Sequence, residues 1–179
     1  MPYVGTLIGD KVVVFDLGQS KQLYALGYFG KPVGESKPRE FKSPLELSLV
    51  EAVYLTRRQD LRVLYQGEFL DPEELASIAQ ERVSKFSILS LVYEDLREKG
   101  FVVRSGIKFG ADFSVYTVGP GIEHAPYLVI GLDIGQEIPA SELMGFGRLS
   151  HSVKKRLILA LVDEKARRLK YITFKWERV

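Results

Sequence analysis

Cysteine is missing from these 179 residues, and histidine occurs only at positions 124 and 151. The first absence removes disulfides, thiolate nucleophiles and cysteine-ligated zinc or iron–sulfur centres. The second makes a histidine-rich metal site a poor expectation. A strong charge of either sign is lacking as well. Twenty-five basic side chains against 23 acidic ones leave a net charge of +2, so composition alone does not select a nucleic-acid partner. No apolar run approaches the roughly 20 residues that span a bilayer. The opening Met1-Pro2-Tyr3-Val4-Gly5 has no basic start followed by an apolar stretch, so an export signal is not expected. Together these absences predict a soluble, cytoplasmic chain with no membrane partner.

Hydrophobic residues make up 46% of the chain. That is enough for a sizeable core, in one domain or two small ones. Residues 3–8 and 11–15 are β-rich, and Gly9-Asp10 between them has hairpin-turn chemistry. Residues 16–20 are predicted as a turn, and 23–29 as a strand or a short helix. Ser43-Pro44 is predicted to cap and open a helix that ends near residues 56–58. Residues 61–65 form a short strand, turned by Gln66-Gly67. Asp71-Pro72-Glu73-Glu74 opens a helix whose face is Leu75, Ile78 and Ala79. A further helix over 84–99 carries the stripe Phe86, Leu89, Val92, Tyr93 and Leu96 and stops at Gly100. A boundary is placed between them, giving domains 1–82 and 83–179.

In the second domain residues 101–105, 112–118 and 127–132 are predicted strands. A helix in two pieces, 141–144 and 150–153, is predicted to break at the glycines of 145–147. A buried strand over 157–162 follows, then a charged turn over 163–168. A last strand over 171–176 alternates apolar and polar residues and can offer an edge to a partner chain. The predicted fold class is α+β, as two small mixed α/β domains, with a C-terminal mixed sheet flanked by helices.

Four blocks stand out in this second domain: 108–116 (KFGADFSVY), 119–129 (GPGIEHAPYLV), 145–164 (GFGRLSHSVKKRLILALVDE) and the closing 171–176 (YITFKW). Taken singly, each has a plain reading. Tyr116 at a strand end is usually a packing residue with a wet hydroxyl. His124 is a loop histidine after a Gly-Pro-Gly turn, and His151 a structural one. Lys154-Lys155-Arg156 is an ordinary basic face, although Ser150-His151-Ser152 before it is predicted to open a helix, where phosphate binds well. Arg148 and Trp176 can be packing residues. The order and spacing of the blocks, however, resemble the catalytic domain of the archaeal tRNA-splicing endonucleases. The likeness covers roughly 84–179, and the first half is similar in length and pattern to that family's N-terminal domain.

That resemblance implies a restriction-endonuclease-like nuclease domain and an endoribonuclease, a tRNA-intron lyase. Such an enzyme cuts precursor tRNA at bulge–helix–bulge splice sites without a metal or other cofactor, leaving 2′,3′-cyclic phosphate and 5′-hydroxyl ends. It carries the family's catalytic tyrosine onto Tyr116, its histidine onto His124 and its lysine onto Lys155 rather than Lys154. The base-clamping arginine and aromatic fall on Arg148 and Trp176. It also implies homologous subunits, as a homotetramer or as a heterotetramer with a non-catalytic subunit. One subunit's acidic loop would dock on another, with Asp133, Glu137 and Glu142 as candidates.

The chemistry fits these residue types. Attack by a ribose 2′-hydroxyl needs a proton acceptor, an acid for the departing 5′-oxygen, and a cation facing the phosphorane. Imidazole, with an ordinary pKa of about 6.5, supplies both protonation states near neutrality. An ammonium is a compact point charge for phosphate. A phenol, near 10, needs a neighbouring cation to act as a base; otherwise it orients the hydroxyl. The alternatives are an RNA-binding module or a non-catalytic structural subunit of the same complex. A metal-dependent nuclease would want clustered carboxylates, and Asp112 alone makes no cluster.

Overall fold

A computed structural model describes residues 1–34 and 42–174. It contains two compact units, Met1–Phe86 and Ser87–Val179. Each is a mixed sheet with helices, so the fold class is α+β as expected.

In the first unit β1 (Tyr3–Ile8) and β2 (Lys11–Val14) form the hairpin expected around Gly9. Helix α1 (Leu17–Gly27) follows. Strands β3 (Lys31–Pro32) and β4 (Leu45–Ser48) precede α2 (Leu49–Arg57). Then come β5 (Leu61–Tyr65), β6 (Glu68–Leu70) and α3 (Pro72–Arg82). The sheet order is β3-β4-β2-β1-β5-β6, with β1 and β5 parallel and all other pairs antiparallel. Asp71 caps α3 by accepting from the Glu73 and Glu74 amides, and Pro72 occupies its first turn, as expected.

Two expectations fail here. Residues 16–20 are not a free turn: the Asp16 carboxylate accepts from the Gln19 amide at 2.7 Å and starts α1. Ser43-Pro44 does not open a helix either. Leu45 and Leu47 are buried while Glu46 and Ser48 are partly exposed, the two-residue alternation of a strand, and the segment pairs with β2. The cap is Ser48, which exchanges hydrogen bonds with Glu51 in a capping box. Leucines over 45–49 satisfy both periods, so the true cap decides where the helix begins.

In the second unit, which takes in all of α4 (Phe86–Glu98) but its first residue, that helix presents the expected stripe, with Val92, Tyr93 and Leu96 buried. The strands are β7 (Val102–Ser105), β8 (Phe113–Tyr116), β9 (Tyr127–Asp133), β10 (Arg156–Asp163) and β11 (Arg168–Phe174), in the order β11-β10-β9-β8-β7. Only β9 and β10 are parallel, joined through α5 (Ala140–Val153). Alternation along β9 assigns its two faces. Leu128 and Leu132 meet Phe146 of α5 together with Leu157 and Leu159 of β10. Gly131 lies on the other face, where a Cβ would come within 2.9 Å of Ile88 Cγ2 on α4. The sheet is therefore covered by a helix on each face, and Gly131 permits the close approach of α4.

Helix α5 is continuous, not broken at 145–147. Glycine lowers helix propensity by about 1 kcal/mol per residue, and packing of Phe146 on the sheet overrides it. Ser150, His151 and Ser152 consequently lie in the last turn of a helix, not at the start of one. That end presents carbonyls, which favour cations rather than phosphate. Trp176 lies outside the described residues.

Candidate active site

Strands β8, β9 and β10 are neighbours, β8 antiparallel to β9 and β9 parallel to β10. The end of β8 and the beginnings of β9 and β10 therefore share one edge of the sheet, with neighbouring strands about 5 Å apart. Tyr116 is the last residue of β8 and is half-buried. Residues 117–126 connect it to β9, and His124 in that connection is exposed. Lys155 immediately precedes β10 and is half-buried. The topology thus gathers the three chain positions at one end of three adjacent strands.

Local contacts tighten this arrangement. Lys155 Nζ donates to the carbonyl of Ala125, the residue after His124, at 2.6 Å. The Arg156 amide donates to the Pro126 carbonyl at 3.1 Å. The lysine's backbone is fixed by the end of α5. Its amide donates to Ser150 O at 3.3 Å, and the buried Ser150 hydroxyl donates to Lys155 O at 2.8 Å. Lys154 caps the helix in the left-handed conformation, with φ of 52°, and is exposed. The neighbouring lysines therefore differ: one is a solvated cap and the other is folded into the site.

A ring missed at the sequence level supports the ammonium. Residues Ile107–Phe109 form a 3₁₀ turn before β8. The Phe109 ring lies under two cations, Lys108 Nζ at 4.7 Å and Lys155 Nζ at 5.1 Å from its centroid. Attraction to the ring face offsets part of the repulsion between them. Burial, and then the Lys108 charge, push the Lys155 ammonium below its ordinary pKa.

Beside the site an open depression of about 460 Å³ is lined by Pro126, Ser150, His151, Lys154, Lys155, Arg156 and Phe174. It shares Lys155 with the constellation but does not include Tyr116 or His124. Arg148 is exposed on α5. Asp112 is committed to the sheet, since its carboxylate accepts from the Gly131 amide at 2.8 Å. Among the described residues no group of three or more His, Asp or Glu side chains is placed to hold a metal ion. Nor, among them, is any helix long and apolar enough to cross a membrane.

Comparison with known proteins bears on both units. Residues 86–173 match the family model of the tRNA intron endonuclease catalytic C-terminal domain, and residues 3–76 match that of the tRNA intron endonuclease N-terminal domain. The chain is 54% identical over 177 residues to a tRNA-splicing endonuclease of Saccharolobus solfataricus, covering 97% of each chain. It is 51% identical over 175 residues to one of Sulfolobus acidocaldarius, covering 96% of this chain and 97% of that one. A third, from Sulfurisphaera tokodaii, is 52% identical over 176 residues, covering 97% and 98%. With both domains matched in order along nearly its whole length, the chain belongs to the tRNA intron endonuclease family.

Proposed function

We propose that this chain is a catalytic subunit that excises introns from precursor tRNA at bulge–helix–bulge sites, without a metal, through Tyr116, His124 and Lys155. The observation that carries the reading is the clamp between Lys155 Nζ and the Ala125 carbonyl. It draws the ammonium from before β10 onto the loop that bears the imidazole, beside the strand end that bears the phenol.

In this reading the 2′-oxygen of the cut nucleotide forms the new bond to phosphorus while the bond from phosphorus to the 5′-oxygen breaks. Tyr116 stands at the attacking hydroxyl, orienting it or accepting its proton. The His124 imidazolium gives its proton to the departing 5′-oxygen. Lys155 faces the non-bridging oxygens, where charge accumulates. The products are a 2′,3′-cyclic phosphate and a 5′-hydroxyl. Arg148, exposed on α5, and Trp176 are assigned to holding a bulged base. Two cuts require two such sites, so the chain acts in an assembly, with β11 at the sheet edge as the pairing strand.

The test uses a bulge–helix–bulge RNA in excess chelator. Cleavage with cyclic phosphate ends is expected, and none when the cut nucleotide carries a 2′-deoxyribose. Strict dependence on added Mg²⁺, or full-speed cleavage of the deoxy substrate, sinks the proposal. His124→Ala should bind the RNA and cut it ~10²–10⁴-fold more slowly. Lys155→Ala should lose about 10²-fold or more, whereas Lys154→Ala should stay within a few-fold. Equal losses at the two lysines would place the cation on the wrong residue.

A further inference from the structure

The connection 117–126 contains Gly119-Pro120-Gly121 and bears exposed apolar side chains at Val118 and Ile122. Such a segment has many conformations available to it. Yet it is bound to itself at one point. The Glu123 carboxylate bends back and accepts from the Val118 amide at 2.5 Å and the Gly119 amide at 3.3 Å. It also accepts from the Thr117 hydroxyl, at 2.9 and 3.1 Å to its two oxygens. The Glu123 amide in turn donates to Gly119 O at 3.2 Å. These bonds close 117–123 into a ring. A glutamate open to solvent ordinarily spends its acceptors on water; those of the partly exposed Glu123 are used within the loop. The hydrogen bond from Val118 is the chief cause of a carboxyl held below its ordinary pKa.

On the other side of His124 lie Ala125 and Pro126, whose carbonyls are held by Lys155 Nζ and the Arg156 amide. His124 is thus the one residue between two anchors, a ring closed by Glu123 and a clamp onto the start of β10. We infer that Glu123 is a positioning residue, whose carboxylate latch fixes where the His124 imidazole stands relative to the scissile phosphate. The inference rests on the acid role proposed for His124. Nothing about Glu123 requires contact with RNA, and its effect passes through its neighbour.

The test measures single-turnover cleavage at saturating bulge–helix–bulge RNA for Glu123→Ala, Glu123→Gln, His124→Ala and the Glu123→Ala/His124→Ala double variant of the full chain. Misplacing a reacting group by about 1 Å can cost ~10²-fold, so Glu123→Ala should slow cleavage by about 10- to 100-fold with half-saturation by RNA unchanged. Glu123→Gln can keep one oxygen on the Val118 and Gly119 amides but loses the carboxylate charge, so it should fall between wild type and alanine. Hydrogen exchange should quicken in the peptide containing Val118 and Gly119 while the thermal midpoint holds. In the double variant the glutamate substitution should add no further loss to that of His124→Ala, because the two act as one unit. Full-rate cleavage by Glu123→Ala alongside a crippled His124→Ala overturns the inference alone. So does an equal fractional loss from Glu123→Ala in the His124→Ala background. A fully active His124→Ala removes the acid role itself, and the inference with it.

Discussion

At the scale of single residues, the sequence offers a role for one side chain and none for its neighbour. The resemblance of four blocks to a known family implies Tyr116, His124 and Lys155, and the topology gathers their positions. Glu123, Phe109 and Ser150 carry no such signal. Their roles depend on where a loop folds back, where a turn lays a ring, and where a helix ends. Phe109 has a measurable consequence. Burial first, and Lys108 second, lower the Lys155 pKa, and both penalise the ammonium form. Removing the Lys108 charge removes one of the two penalties, so Lys108→Ala should move the Lys155 titration upward, toward but not reaching that of an ordinary lysine. Carbon-13 resonances of dimethylated lysines, followed against pH, read this directly. A midpoint that stays put or falls would show that the two cations do not sense each other across the Phe109 ring.

At the scale of elements, strands β1, β5, β9 and β10 and helices α3 and α4 were readable, because each has one clear period and clear end signals. The misreadings share a cause. Leu45, Leu47 and Leu49 fit two periods at once, and the capping box at Ser48 settles which one applies. In α5 the glycines argue for a break, and packing of Phe146 against β9 and β10 argues more strongly for continuity. Misplacing that helix also reversed the reading of Ser150-His151-Ser152, from a phosphate-friendly helix start to a carbonyl-rich helix end. The 107–112 turn carrying Lys108 and Phe109 is set by Gly106. A Cβ there would stand 2.7 Å from the Phe113 carbonyl carbon and 2.9 Å from Ala111 O, both backbone atoms that cannot rotate away. Gly106→Ala should therefore cost about 1–3 kcal/mol, as overpacking does. Its urea midpoint should fall, and the titration of Lys155 should shift as the ring beneath it moves. An unchanged midpoint would mean that the turn relaxes freely.

At the scale of the whole molecule, charge is nearly balanced, at +2 over the chain. Cationic groups nevertheless gather at one place, with Lys154, Lys155 and Arg156 lining a single depression. The proposed assembly places two such sites on one RNA. Light scattering at micromolar concentration should give about four times the 20.2 kDa chain mass, either alone or once a homologous subunit is added. Ile172→Lys, at an exposed apolar position on the edge strand β11, should lower that mass. A monomer that still cuts both splice sites would remove the need for assembly. The parallel pairing of β9 with β10 has a further effect during synthesis. A nascent chain that has emerged only through the β8–β9 hairpin already holds the phenol and the imidazole. It lacks the Lys155 ammonium until α5 has crossed over and residue 155 has docked. On the proposed chemistry, a ribosome-bound fragment therefore cuts the RNA around it at least about 10²-fold more slowly, and full cutting power arrives when the crossover closes.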